Sequence, residues 1–168
     1  PYVISFENLS TATASAVEVT ITDTLDVATL DLSTFSLGTF VLPDTSFTAP
    51  AGLAAWTTYW DRRPSEPSLV RLDAALDVET GVVLWQMSDL DPTDYPLRTS
   101  AEAGFLPPNG ANGEGEGSVT FTIAAKPGLP DGTTIGNRAD IRFDRNELID
   151  TGVWANTLDL LSPVSAVV

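Results

Sequence analysis

AVEVTITD, residues 16–23, sets the reading of the whole chain. Val17, Val19 and Ile21 alternate with Glu18, Thr20 and Thr22, so a period of two puts the apolar side chains on one face and the polar ones on the other. β-Branched side chains suit a pleated, half-buried surface, which makes this stretch a strand with its odd-numbered face inward. Residues 118–125 (SVTFTIAA) repeat the pattern through Val119, Phe121 and Ile123. Residues 68–77 do so through Val70, Leu72, Ala74 and Leu76, and Ile141 and Phe143 alternate with Arg142 and Asp144.

Further strands are expected over residues 2–8, 35–42, 45–49, 56–63 and 137–144, with Pro43-Asp44 pinching the chain between the second and third. Residues 82–88 are apolar on both faces, which places that strand centrally. Residues 23–33 form an aspartate-rich connection with room for one helical turn, and residues 157–161 make a last strand. Nine or ten short strands with Gly and Pro turns, and no helix pattern, predict an all-β antiparallel β-sandwich. Its core should hold Val17, Val19, Ile21, Val70, Leu72, Leu76, Trp85, Val119, Phe121, Ile123, Ile141 and Phe143. One long loop, residues 89–117, interrupts the pattern, and loops of that length are functional or clamped more often than idle.

The 168 residues are enough for one self-supporting module, expected over residues 1–161 with 162–168 as a linker to a following domain. Net charge is −15, from 23 acidic against 8 basic side chains, which excludes nucleic acid and anionic membrane as partners. With no histidine and no cysteine, zinc, copper and thiol sites fall away, as do Ser-His-Asp and Cys-His catalysis. Oxygen-ligand metals remain. No apolar run approaches the length of a membrane span, and residues 1–9 do not resemble a signal peptide. The chain begins and ends in strand-like sequence, as a piece of a longer polypeptide would.

STATASAVEVTITDTLD, LDLSTFSLGTF, DLDPTD, AGFLPPNG, GEGSVTFTI, KPGLPDGTTIGNRADIRFDRN and the closing NTLD together resemble one module type. It is the conserved-repeat, Ig-like β-sandwich module of large bacterial secreted and cell-surface proteins, a domain of unknown function. The resemblance implies an Ig-like sandwich, an extracellular or cell-surface setting, and neighbouring domains of the same polypeptide as partners. After FDRN this chain departs from the family pattern of a proline and a Thr-Asn pair, carrying Glu147-Leu148 and Asp150-Thr151-Gly152 instead.

Asp144, Asn146, Glu147 and Asp150 place four oxygen-bearing side chains within seven residues, and Glu7 and Asn8 join them if the first strand lies beside the last. Calcium takes about six to eight oxygens, so Asp144, Asn146 and Asp150, with Glu7 or Asn8, are the candidate metal ligands. The same residue types also serve turns without any ion. The long loop carries a second acidic set, from Asp89, Asp91 and Asp94 to Glu114 and Glu116, that either holds a cation or is solvated. Trp56, Tyr59 and Trp60 are either a sugar-stacking platform or packing residues, and an exposed aromatic row separates the two. Lys126, the only lysine, invites an isopeptide crosslink to Asn137 or Asp140, against the ordinary reading of a solvated strand end. Asp150-Thr151-Gly152 spells an aspartic-protease tripeptide, but a dyad needs two such loops.

These readings converge on a non-catalytic structural or adhesive module of a bacterial extracellular protein, stabilised by calcium. The alternative is a carbohydrate-binding module accessory to a secreted hydrolase, with polysaccharide or a surface receptor as its partner. Acidity from a halophilic origin competes with cation binding as the explanation of the charge.

Overall fold

The computed structural model describes residues 1–160, and the expected linker at 162–168 lies outside them. In chain order the strands are β1 (Tyr2–Glu7), β2 (Glu18–Thr24), β3 (Leu30–Leu42), β4 (Thr45–Thr48), β5 (Ala55–Asp61) and β6 (Leu69–Asp77). There follow β7 (Val82–Leu90), β8 (Glu116–Ala125), β9 (Thr134–Asn137), β10 (Ala139–Phe143), β11 (Ile149–Asp150) and β12 (Trp154–Thr157). There is no helix among the described residues. One sheet has the order β1-β8-β3-β4 and the other β11-β10-β2-β7-β6-β5, while β9 and β12 form a separate ribbon. The strand pairs are antiparallel.

Neither sheet closes on itself; the two face each other across a core fed by their alternating inner faces. Phe121 on β8 meets Trp85 on β7 at 5.7 Å between ring centroids, and Phe6 on β1 meets Phe143 on β10 at 6.4 Å. Phe40 on β3 meets Trp56 on β5 at 6.1 Å. Such pairs join the sheets by burying aromatic area and by ring geometry together. Of the expected core, Val17 and Ile123 are only partly buried, and the other ten residues are buried. Val17 precedes β2, where its N–H donates to the Asp144 side chain while its carbonyl still accepts from Asp89 N of β7.

Three local expectations are corrected. β3 begins at Leu30, well before residue 35, with breaks in its register against β8 between Asp31 and Ser36 and between Leu37 and Phe40. Polar side chains fill the first break: Asp31 Oδ1 accepts from the N–H and hydroxyl of Ser33, and Thr34 Oγ1 accepts from Ala124 N. Those contacts erase the alternation that marks a strand. At the second break Thr39 N donates to Thr120 Oγ1 at 2.7 Å, and Gly38 is required because a Cβ there would collide with that hydroxyl. β7 is central within its sheet, yet Leu84 is exposed, so its outer face meets solvent. The last described strand is Trp154–Thr157, paired with β9, in place of a strand at 157–161.

Candidate functional site

Residues 16–18, just where β2 begins, tie together one end of the molecule. Ala16 N donates to Leu106 O in the long loop, and Ala16 O accepts from Phe105 N. Val17 O accepts from Asp89 N at the end of β7. The N–H groups of Val17 and Glu18 both donate to Asp144 Oδ1, at 2.9 and 2.8 Å. Asp144 reaches them from a left-handed backbone with φ of 53°, a conformation that aspartate tolerates better than most side chains. Its carboxylate thereby takes up two backbone donors at the strand's start.

Asn8 is stitched in beside it. Its amide donates to Ala14 O and Leu106 O, and its backbone bonds Gly115 O and Asn109 N. Asn8, Asp144 and Asn146 share a groove of about 400 Å³ with Thr11 and Phe143. Glu7 and Asp150 lie elsewhere. Glu7 stands opposite Glu116 on β8, and Asn109 Nδ2 donates to both carboxylates, at 2.9 and 3.1 Å. Asp150 Oδ2 pairs with Arg138 at 2.7 Å while Oδ1 accepts from Gly152 N at 2.6 Å. The five expected calcium ligands therefore lie in three places: Asn8, Asp144 and Asn146 along one groove, Glu7 beside Glu116, and Asp150 with Arg138. No group of three or more carboxylates is arranged to hold a metal among the described residues.

The acidic side chains have a shared use. Asp26, Asp31, Asp61, Asp77, Asp91 and Asp150 each accept the backbone N–H of the residue two positions on. These are Asx turns, in which a carboxylate imitates a backbone carbonyl and fixes the chain's reversal. The N–H groups of Glu79 and Thr93 hold the Asp77 and Asp91 carboxyls below the usual carboxylate range. For Asp26 and Asp31 the hydroxyls of Thr29 and Ser33 contribute most, and the backbone N–H comes second.

The long loop is clamped by its own arginine. Asp89 is fully buried and accepts from Ser68 Oγ at 2.5 Å, Gly104 N at 2.8 Å and Arg98 Nη1 at 3.0 Å. Arg98 N closes the ring by donating to Asp89 O. From β5's end, Arg62 Nη1 reaches Gly104 O at 3.2 Å, while its guanidinium lies 5.0 Å from the centroid of the Trp60 ring. Ala103, Phe105 and Leu106 are buried as a result. Of the loop's acidic set, Asp89 is held by protein donors, whereas Asp94, Glu102 and Glu116 are exposed. The signal was available: Val83, Trp85 and Met87 define an inward face of β7, and Asp89 continues it.

The three candidate platform aromatics do not form an exposed row. Trp56 and Trp60 are half-buried against the core on the inner face of β5, and only Tyr59 points outward. Tyr59 instead meets Tyr95, which the sequence did not mark, across a cleft of about 310 Å³ floored by Leu69. Tyr95 is displayed by a loop residue with φ of 62°. Lys126 Nζ donates to Val27 O at 2.7 Å, whereas Asn137 donates to Asp23 Oδ2 at 2.6 Å and Asp140 lies opposite Thr22. The arrangement a crosslink needs is not formed.

Residues 71–157, more than half of the chain, match a family described as a domain of unknown function, DUF7619. No curated protein and no solved structure matches the chain.

Proposed function

The chain belongs to the DUF7619 family, and from that premise we propose that it is a non-catalytic structural module of a bacterial extracellular or cell-surface protein. One observation carries the reading: eight of its aspartates are spent on the chain itself. Six aspartates hold Asx turns, Asp144 caps a strand and Asp89 anchors the long loop. Carboxylates committed to backbone donors are poor general acids and poor nucleophiles, because each reaction step would cost those bonds. The extracellular setting rests on the resemblance of the sequence to modules of that kind. Adhesion would be exercised through neighbouring domains, and Leu148, Ile149, Val153 and Trp154 offer an exposed apolar surface for contact with one.

The closest thing to a catalytic pair is Glu7 and Glu116, side by side on β1 and β8. Assay of the purified module against polysaccharide, peptide and ester substrates should give no turnover above background. Turnover that disappears in Glu7→Gln/Glu116→Gln would overturn the structural reading and make that pair an active site.

A second reading, sugar binding, is favoured by the Tyr59–Tyr95 cleft alone. Two exposed tyrosines, with Arg63 near Tyr95 and its guanidinium held by Asp61 at 2.6 Å, provide ring faces next to polar groups. Titration with a panel of soluble oligosaccharides, following tyrosine fluorescence, decides between the two. Binding lost in both Tyr59→Ala and Tyr95→Ala would favour the second reading, and no binding at millimolar sugar would remove it.

A further inference from the structure

The inward row of β2 is Val19, Ile21 and Asp23, and all three are fully buried. Asp23 therefore sits where the strand's pattern calls for an apolar side chain. Opposite it are Ala139 on β10 and Val83 on β7, neither of which offers a side-chain donor. Among the described residues its side-chain hydrogen-bond partner is Asn137, whose Nδ2 donates to Asp23 Oδ2 at 2.6 Å. Among the described residues, two buried side-chain atoms lack any hydrogen-bond partner: Asp23 Oδ1 and Asn137 Oδ1. They belong to the two groups already joined by that short bond. Both are acceptors, so an ionised Asp23 satisfies neither of them. A single proton on Asp23 Oδ1 changes that, because a carboxylic acid donates and a primary amide accepts.

We propose that Asp23 and Asn137 form a proton-held clasp, in which the Asp23 acid donates to the amide oxygen of Asn137 and fastens the β9–β12 ribbon to β2. Asn137 is the last residue of β9 and is paired with Trp154 on β12, so the clasp lies at the root of the ribbon. The ribbon is hydrogen-bonded into neither sheet. Continuity with β10, the buried Ile135 and this contact tie it to the body of the molecule. Loss of the proton leaves a charge in a desolvated site and two oxygens with no donor, which loosens the ribbon.

The surroundings suit an acid. Burial raises the Asp23 carboxyl to about 6, with the Asn137 bond acting second and in the opposite direction. Tyr2 on β1 is the titratable group that faces Asp23; burial first, and the Asp23 charge second, push its phenol upward. On β10 Asp140 and Arg142 point to the outer face, and Arg138 is paired with Asp150 at the surface. Neither β7 nor β12 brings a charge to it, since Val83 and Trp154 occupy the facing positions. Among the described residues, no cation is placed to compensate the carboxylate. Because the folded state holds this proton more tightly than the unfolded chain, the group favours folding most below its ordinary value of 3.8. That advantage is lost as pH rises from there through about 6.

The test uses the whole chain. A carboxyl-carbon NMR titration from acid to neutral pH should find Asp23 with a midpoint near 6. Hydrogen exchange in β9 and β12, corrected for intrinsic rates, should lose protection over the same interval. Asp23→Asn, a permanent neutral analogue, should remove the loss of folding constant across that interval, on the order of a hundredfold for a shift of this size. Asn137→Ala should leave Asp23 titrating high while its titration no longer affects ribbon exchange. An Asp23 midpoint at or below 3.8 in the intact protein overturns the proposal. So does ribbon exchange that still follows Asp23 in Asn137→Ala, because then burial and not the clasp is the link. If Asp23→Asn does not fold, the titration of the unaltered chain still decides the matter.

Discussion

Removing the carboxylate of Asp89 should be among the most damaging single changes available to this protein. Asp89→Ala strips the acceptor from three donors at once: Ser68 Oγ, Gly104 N and Arg98 Nη1. Ser68 is fully buried and the Arg98 side chain is only 11% exposed, so water cannot readily replace what is lost. A buried neutral donor left unpaired costs about 1–3 kcal/mol. Breaking one side of a buried ion pair costs roughly 3–5 kcal/mol. The three losses share one site and relax together, so they do not add, and about 3–5 kcal/mol is the expected total. Urea unfolding at neutral pH measures it, and limited proteolysis shows where it acts: cleavage should concentrate at residues 91–104, which the carboxylate anchors. Arg98→Ala should cost a similar amount, and the double variant should fall well short of the sum of the singles. If Asp89→Ala costs under about 0.5 kcal/mol, as ordinary surface changes do, and the loop stays protected, then the loop is held by something else and the reasoning fails.

Phe121→Ala should destabilise by about 3–5 kcal/mol, because its fully buried ring contacts Tyr2, Phe35 and Trp85 and so bridges the sheets; chemical denaturation showing under 1 kcal/mol would refute that placement of the core. Asp144→Gly should lose about 1–3 kcal/mol with the cap on Val17 and Glu18, without adding backbone strain. That loss should be equal in EDTA and in millimolar calcium, and a calcium-dependent part would restore the metal reading. In a longer polypeptide carrying the next domain, Trp154, now 72% exposed, should shift its fluorescence to the blue; emission unchanged from the isolated module would mean the surface is not a domain contact.

Local sequence determined the strands and most of the core. Alternation at Val19, Ile21, Val119, Phe121, Ile141 and Phe143 admits only one inward face, since a one-residue slip would expose every apolar side chain. The sequence also held, unread, the two buried aspartates: Asp23 and Asp89 each continue an inward row by the same period of two. What it could not supply was the partner that makes such burial tolerable. Asn137 lies 114 residues from Asp23, and Arg98 reaches Asp89 only because the loop folds back on the end of β7. The density of acids between Asp144 and Asp150 is a local fact, but whether their oxygens converge on one point or turn to different backbone donors is a global one. Chain reversal at Asp144, the β10–β11 pairing and the approach of residues 17 and 18 decided it, sending Asp144 to the N–H groups of Val17 and Glu18 and Asp150 to that of Gly152. A side chain's type is written in the sequence; the hydrogen-bond donors around it are set by elements far away in the chain, and only the tertiary structure brings them together.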